Sequence, residues 1–393
     1  MVLSADFATL VDRDRLVDRL QQLVRTPSEN PPGEEAAAAA VAAAFCEELG
    51  LDVELHEVEP GRPSVIARWR GSSGPSLCYC SHIDVVPAGD PGLWDRDPYS
   101  GAIEDGRMHG RGSSDAKGPV AAALEAVAIL RESGWEPEGT LELALVADEE
   151  TMGFNGAGHL VEEKILAPDL AIVGEPTSLR VVRAQRGASW LRVTTKGLAG
   201  HGSAPERGIN AVKHMAEIVL QLDETLPDVT HSLLGGPTIS VGTIRGGEKV
   251  NIIPAACIAE VDRRTVPGET KESVVAGIEE AVERARERFP DLDARIEIAF
   301  FADSFEVPAD ARVVTTAVNA LRATTGADVD VIGFRGASDA RFLFEAGADV
   351  IVCGPGDITL AHTAHESIDL VELEQGAVAY ARSFASLLSG GGP

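Results

Sequence analysis

Residues 76–84, SLCYCSHID, run apolar and strand-like and then end on a histidine and an aspartate. The same arrangement returns twice. LELALVA at 141–147 runs into Asp148, Glu149 and Glu150, and LAIVG at 170–174 runs into Glu175. In an open α/β sheet ligands bind outside the carboxyl ends of the strands, so these three tips should meet at one edge. Asp115 lies in the glycine-rich turn GRGSSDAKG, and His365 in the loop HTAHE, where His362 precedes it. Together they give two histidines and several carboxylates, the donor composition of a two-metal hydrolytic site.

Working outward, amphipathic or alanine-rich helices over 14–25 and 35–49 precede strand-like runs at 53–57 and 64–70. After Asp115, PVAAALEAVAILRESG has helical apolar spacing and stops at Gly134. Strands alternating with helices predict a mostly parallel sheet flanked by helices. Past residue 180 the order changes. Strands at 181–196, 238–245, 256–264 and 294–301 and helices at 210–223 and 272–289 give β-α-β-β-α-β, the ferredoxin-like order. The α/β pattern then resumes and ends in a helix over 372–388. The expected organisation is a catalytic domain of residues 1–180 plus 303–393, interrupted by an α+β domain of residues 181–302.

A chain of 393 residues, 44% of them hydrophobic, can bury two cores and is not a disordered protein. A formal charge of −28 argues against nucleic acid and anionic membranes as partners, because neither is attracted without a basic face. An acidic substrate must then be caught by local arginines. No apolar run approaches the roughly 20 residues that span a bilayer. The start, MVLSADFATLVDRDRLVDRL, lacks the basic n-region and apolar h-region of a secretory signal, so the expected location is the cytoplasm. Five cysteines without CxxC spacing read as small buried residues in a reducing compartment.

Each site residue has an ordinary structural alternative. On a strand, residues two apart point to the same side, so Asp84 can hold the second ring nitrogen of a metal-binding His82, yet an HxD pair alone is common. Asp115 could be a helix N-cap. Glu149 and Glu150 on a surface loop would be solvated charges; at a sheet edge one can ligate metal while the other accepts a proton. His109 and His159 have nothing beside them in the sequence that suggests a site. The five donors taken together make the functional reading the stronger one.

The segments SHIDVVP, GRGSSDAKG, ADEETMG, VGEPT, KGLAGHGSAPERGINAV, VNIIPAACIAEVDRR, GASDAR and HTAHE extend across nearly the whole chain. In that order they resemble the co-catalytic zinc deacylase and exopeptidase family, which includes succinyl-diaminopimelate desuccinylase, acetylornithine deacetylase, aminoacylases and glutamate carboxypeptidases. The resemblance implies a zinc-exopeptidase type sheet with an inserted lid and dimerisation domain, and a homodimer formed through that insert. It implies two Zn2+ ions, with Co2+ or Mn2+ able to substitute. One would be held by His82 and Glu175, the other by Glu150 and His365, with Asp115 bridging and Asp84 orienting His82. Glu149 would be the general base, and His201, in GHGSAP, would help hold the substrate oxyanion. Asn251, Arg264, Arg341 and Arg186 would contact substrate. The peptide after the bridging aspartate, here Asp115–Ala116, is commonly cis in such proteins.

The implied reaction is hydrolysis of the amide bond of an N-acyl-amino acid. The alternative is carboxypeptidase or dipeptidase action on short peptides; glutamate at position 175 favours a deacylase or carboxypeptidase. A non-catalytic binder would be signalled by a missing ligand or base, and none is missing. A nuclease or phosphatase fits the ligands alone but not the acidic chain or the motifs of the insert.

Overall fold

A computed structural model describes residues 6–389; the first five and last four residues, with most of the SGGGP tail, lie outside it. The chain divides into two compact units. The larger holds the described residues up to Arg183, Val307–Ile332 and Ser338 onward; the smaller holds Ala184–Glu306 and Gly333–Ala337. The short segment 333–337 was expected with the larger unit. It joins the smaller one because Arg186 N donates to Phe334 O at 3.0 Å.

In the larger unit, strands Thr140–Val146, Ser76–His82, Leu170–Val173 and Asp349–Val352 lie side by side and parallel. Pro63–Arg70 and Asp52–Glu57 extend the sheet antiparallel beyond Thr140–Val146. The parallel strands are buried on both faces, as their continuous apolar sequences require. Register sets the edge: His82 pairs with Val146, and Cys80 with Val173. His82, Glu149 and Glu175 therefore leave the sheet at one level. A small sheet that the sequence did not announce pairs Ser367–Asp369 with Arg107–His109. It ties the chain just beyond HTAHE to the chain just before Asp115.

The helix Lys117–Glu132 is buried along nearly its whole length and packs on Leu370–Leu387 and Arg13–Val24. Its alanines let neighbours approach closely, but it carries two fully buried ionisable side chains, Lys117 at its start and, mid-helix, Glu125 with its carboxylate. That carboxylate accepts from Arg15 at 2.7 and 2.8 Å and from Asp12 N at 3.0 Å, and lies 3.8 Å from Arg19, itself 3% exposed. Removing one partner of such a buried network strands the other. Glu125→Ala should therefore cost about 3–5 kcal/mol of stability. A loss of unfolding free energy in urea titrations of less than about a quarter of that would show the network to be dispensable.

In the smaller unit the strand order is Thr238–Gly246, Ala256–Thr265, Gly187–Lys196, Asp293–Ala302, all antiparallel, the ferredoxin-like arrangement. Alternate side chains (Leu191, Val193, Cys257, Ala259, Val261) pack under helices Ala211–Gln221 and Lys271–Arg288. The expected single strand over 181–196 is broken. Val182 pairs with Val352, whereas pairing with Ala256–Thr265 begins at Gly187. A Cβ on Gly187 would lie 2.2 Å from Thr265 Oγ1 and 2.5 Å from Ala302 O, so only glycine fits where the strand changes sheet. The five cysteines are buried and unpaired, and among the described residues no helix is long and apolar enough to cross a membrane.

Candidate metal centre

His82 ends its strand with Nδ1 against the main-chain oxygen of Asp84 at 2.9 Å and 3.5 Å from its carboxylate. This leaves Nε2 facing Asp115 Oδ1 at 3.2 Å and Glu175 Oε2 at 3.9 Å. Asp84 does more than orient a ring. Its buried carboxylate accepts from Asn30 Nδ2 at 2.9 Å and from the backbone N–H groups of Glu150 and Glu149 at 3.1 and 3.3 Å. One side chain thus fixes two strand tips relative to each other.

The turn bearing Glu149 and Glu150 is held from behind by Asp148, whose φ of 75° places it in the left-handed region. Its carboxylate accepts from Arg62 at 2.9 Å, Thr151 Oγ1 at 2.7 Å and Asn155 N at 2.9 Å. Glu150 Oε2 lies 3.1 Å from His362 Nε2, and the same ring nitrogen is 3.3 Å from Asp115 Oδ2. Two donor groups result, His82–Asp115–Glu175 and Asp115–Glu150–His362, each with its ligand atoms within 4.8 Å of one another. Asp115 belongs to both, and its peptide to Ala116 is cis.

The second histidine is a correction. His365 was the expected ligand, but it is exposed, its backbone N–H on Thr363 Oγ1 at 3.2 Å, beside Trp94 and His109. His362, with φ of 63°, reaches the carboxylates instead. Glu366 decides the matter. It is buried beneath the Asp115 turn, accepts from Ser114 N and Asp115 N at 3.1 Å each, and is paired with Arg111 at 2.5 Å. With Glu366 anchored there, its neighbour His365 is turned outward.

Arg341, expected to contact substrate, is 3% exposed, donates to Met152 O, and lies over the Phe342 ring at 4.2 Å. Arg341 therefore braces the end of the Glu149–Glu150 turn. The remaining expected contacts fall in the smaller unit. His201 is exposed with Nδ1 on Ser203 Oγ at 2.7 Å; Gly202 N donates to Asn251 O at 2.9 Å, so His201 and Asn251 are neighbours. Arg264 is forked onto Asp262 at 2.7 and 3.0 Å, and Arg186 donates to the carbonyls of Leu234 and Gly236 at 2.6 and 2.8 Å.

The electrostatics belong to a cation site. Burial opposes charge on His82, but hydrogen bonds to Asp115 and Asp84 and the charge of Glu175 outweigh it and hold the ring's pKa well above its usual value. Hydrogen bonds to Asp115 and Glu150 push the His362 pKa up to about 10. Burial, with carboxylates crowded around them, raises Glu149 and Glu175 well above the usual carboxylate range. Glu175 Oε1 is buried without a hydrogen-bond partner. Protons stand here where positive charge is wanted, and imidazole with carboxylate is a donor set suited to zinc.

Residues 78–386 match peptidase family M20/M25/M40. The chain belongs to this family. It is 32% identical over 336 residues to an acetylornithine deacetylase of Aliivibrio fischeri, covering 82% of this chain and 84% of that one. The fold is similar to that of aminopeptidase PepT from Bacillus cereus (TM-score 0.81, 23% identity, 97% and 100% of the two chains). It is also similar to that of a dinuclear metal-binding peptidase from Bacillus subtilis (TM-score 0.74, 17% identity, 96% and 98%). This M20/M25/M40 member is a metal-dependent hydrolase of amide bonds.

The sequence reading passed over four residues that position the centre of this family member: Asn30, Asp148, Glu366 and Arg111. Asp148, Glu366 and Arg111 lie inside the quoted segments ADEETMG, HTAHE and GRGSSDAKG and could have been suspected as supporting charges. Asn30 acts across the fold and left no local signal.

Proposed function

We propose that the chain removes the acyl group from an N-acyl-amino acid at a pair of zinc ions, one held by His82, Asp115 and Glu175 and the other by Asp115, Glu150 and His362. The observation that carries this reading is the membership of Asp115 in both donor groups, with Glu149 buried among Glu175, His82 and Glu150. The ions, when bound, supply positive charge that acidifies a water and polarises the amide carbonyl. Glu149 takes the proton released as the water oxygen bonds to the carbonyl carbon, and delivers it to the nitrogen as the C–N bond breaks, leaving a carboxylate and an amine. Its raised proton affinity suits it to both halves of that transfer. Asp84 holds His82 and the Glu149–Glu150 turn in register throughout. His201 supplies a donor for the developing oxyanion, and Asn251, Arg264 and Arg186 hold the amino-acid half. A second copy of the chain pairs through the smaller unit.

Deacylation is favoured over peptidase action by the relative of more than 30% identity. Amine release from N-acyl-amino acids and short dipeptides, in protein loaded with zinc or cobalt, tests this. Selective cleavage of N-acyl-amino acids is the expected result; cleavage of dipeptides alone would replace the deacylase reading with an exopeptidase one.

A further inference from the structure

Strand Pro63–Arg70 runs antiparallel to Thr140–Val146, with Val65 opposite Leu145. Its beginning therefore lies at the edge where the parallel strands end, and Arg62, the residue before it, arrives beside Asp148. Arg62 is 9% exposed, and its guanidinium is divided among three carboxylates. Nε donates to Glu35 at 3.1 and 3.2 Å, and Nη2 to Glu35 at 2.7 Å and to Asp148 Oδ1 at 2.9 Å. Nη1 donates to Glu59 at 3.0 Å. Glu35, which precedes helix Ala36–Glu48, is fully buried and Asp148 is 3% exposed, whereas Glu59 stands half in solvent. A Cβ on Gly33 would lie 2.4 Å from Arg62 Nε, so glycine there gives the guanidinium its room. Among the described residues Arg62 is the only cation paired with either Glu35 or Asp148.

Glu35 alone would neutralise this arginine. The second buried acid, Asp148, is the residue that starts the Glu149–Glu150 turn. A left-handed φ in a residue other than glycine persists only where the surroundings impose it. The other donors to the Asp148 carboxylate, Thr151 Oγ1 and Asn155 N, lie in the same loop and move with it. Arg62, 86 residues away in sequence, is the donor that ties this carboxylate to the body of the sheet. Metal would hold Glu150 in place through its own carboxylate. Glu149 belongs to neither donor group, so its aim depends on the path of the backbone.

We propose that Arg62, held in turn by Glu35, is a positioning residue: it fixes Asp148 in its left-handed conformation and so aims Glu149 at the reacting atoms, touching neither metal nor substrate. The inference rests on the reading of Glu149 as the general base.

The test compares zinc-loaded wild type, Arg62→Met, Arg62→Met/Glu35→Gln and Glu149→Ala. The double variant removes the cation together with the charge of Glu35, so that stability is not lost to a stranded glutamate. It should bind zinc as wild type does. Hydrogen exchange of a peptide spanning 148–155 should quicken at least about tenfold while strand Ser76–His82 is unchanged, a readout that needs no substrate. On the best-cleaved N-acyl-amino acid or dipeptide, kcat should fall roughly 100-fold and KM change less than about threefold. Added to Glu149→Ala, the same two substitutions should cost less than about twofold more, because no base remains to be aimed. Unchanged exchange, a kcat close to that of wild type, a full additional loss on top of Glu149→Ala, or lost zinc would each overturn the proposal. An inactive Glu149→Ala beside a fully active double variant would leave the base reading standing and remove only the role of Arg62. A Glu149→Ala that turns over as wild type does would remove both.

Discussion

His362→Ala will lose one of two bound metals and nearly all turnover, while His365→Ala will keep both. The two residues are three apart in one loop, but only His362 reaches Asp115 and Glu150, at 3.3 and 3.1 Å. Removing an outer partner of a metal ligand typically costs roughly 10–100-fold in affinity, and removing the ligand itself should exceed that. Metal content after dialysis against a weak chelator, with turnover on the same samples, measures it. The proton adds a second signature. In metal-free protein His362 holds its proton up to a pH of about 10, and a metal must displace it. Affinity at this position should therefore climb as pH rises toward that value in wild type. The His362→Ala variant should show a shallower climb. Metal loss in His365→Ala with none in His362→Ala would reverse the assignment.

Glu149→Ala separates the base from the ligands. Glu149 belongs to neither donor group, so the variant should bind both metals as wild type does. Turnover should fall on the order of 10²–10⁴-fold, the usual contribution of general acid–base catalysis. Glu150→Ala should instead lose metal along with activity, because Glu150 lies with Asp115 and His362 in one donor group. The adjacent pair is thus expected to fail in two different ways. Metal loss from Glu149→Ala would mean that the roles of the two glutamates are exchanged.

Both experiments turn on where loops point, and that is where reading the sequence ran out. The strand-borne residues were legible. An apolar run of five to seven residues has a definite end, parallel pairing puts several such ends at one level, and a period of two fixes the side on which His82 and Asp84 emerge. The ferredoxin-like order of the smaller unit was legible for the same reason, from periodicity and helix spacing alone. Nothing comparable fixes HTAHE. A loop residue faces wherever its anchors send it, and the anchor here is Glu366 under the Asp115 turn, a contact between residues some 250 apart in sequence. That Arg341 braces Met152 O was not legible either, because an arginine in a motif looks the same whether it faces solvent or a buried carbonyl. The sequence by itself determined the sheet, the inserted unit and the carboxylates at the strand ends, since these follow from local period and register. Only the tertiary structure decided which histidine faces the carboxylates and which buried acids hold their turns, because those choices rest on partners that meet only when the chain is folded.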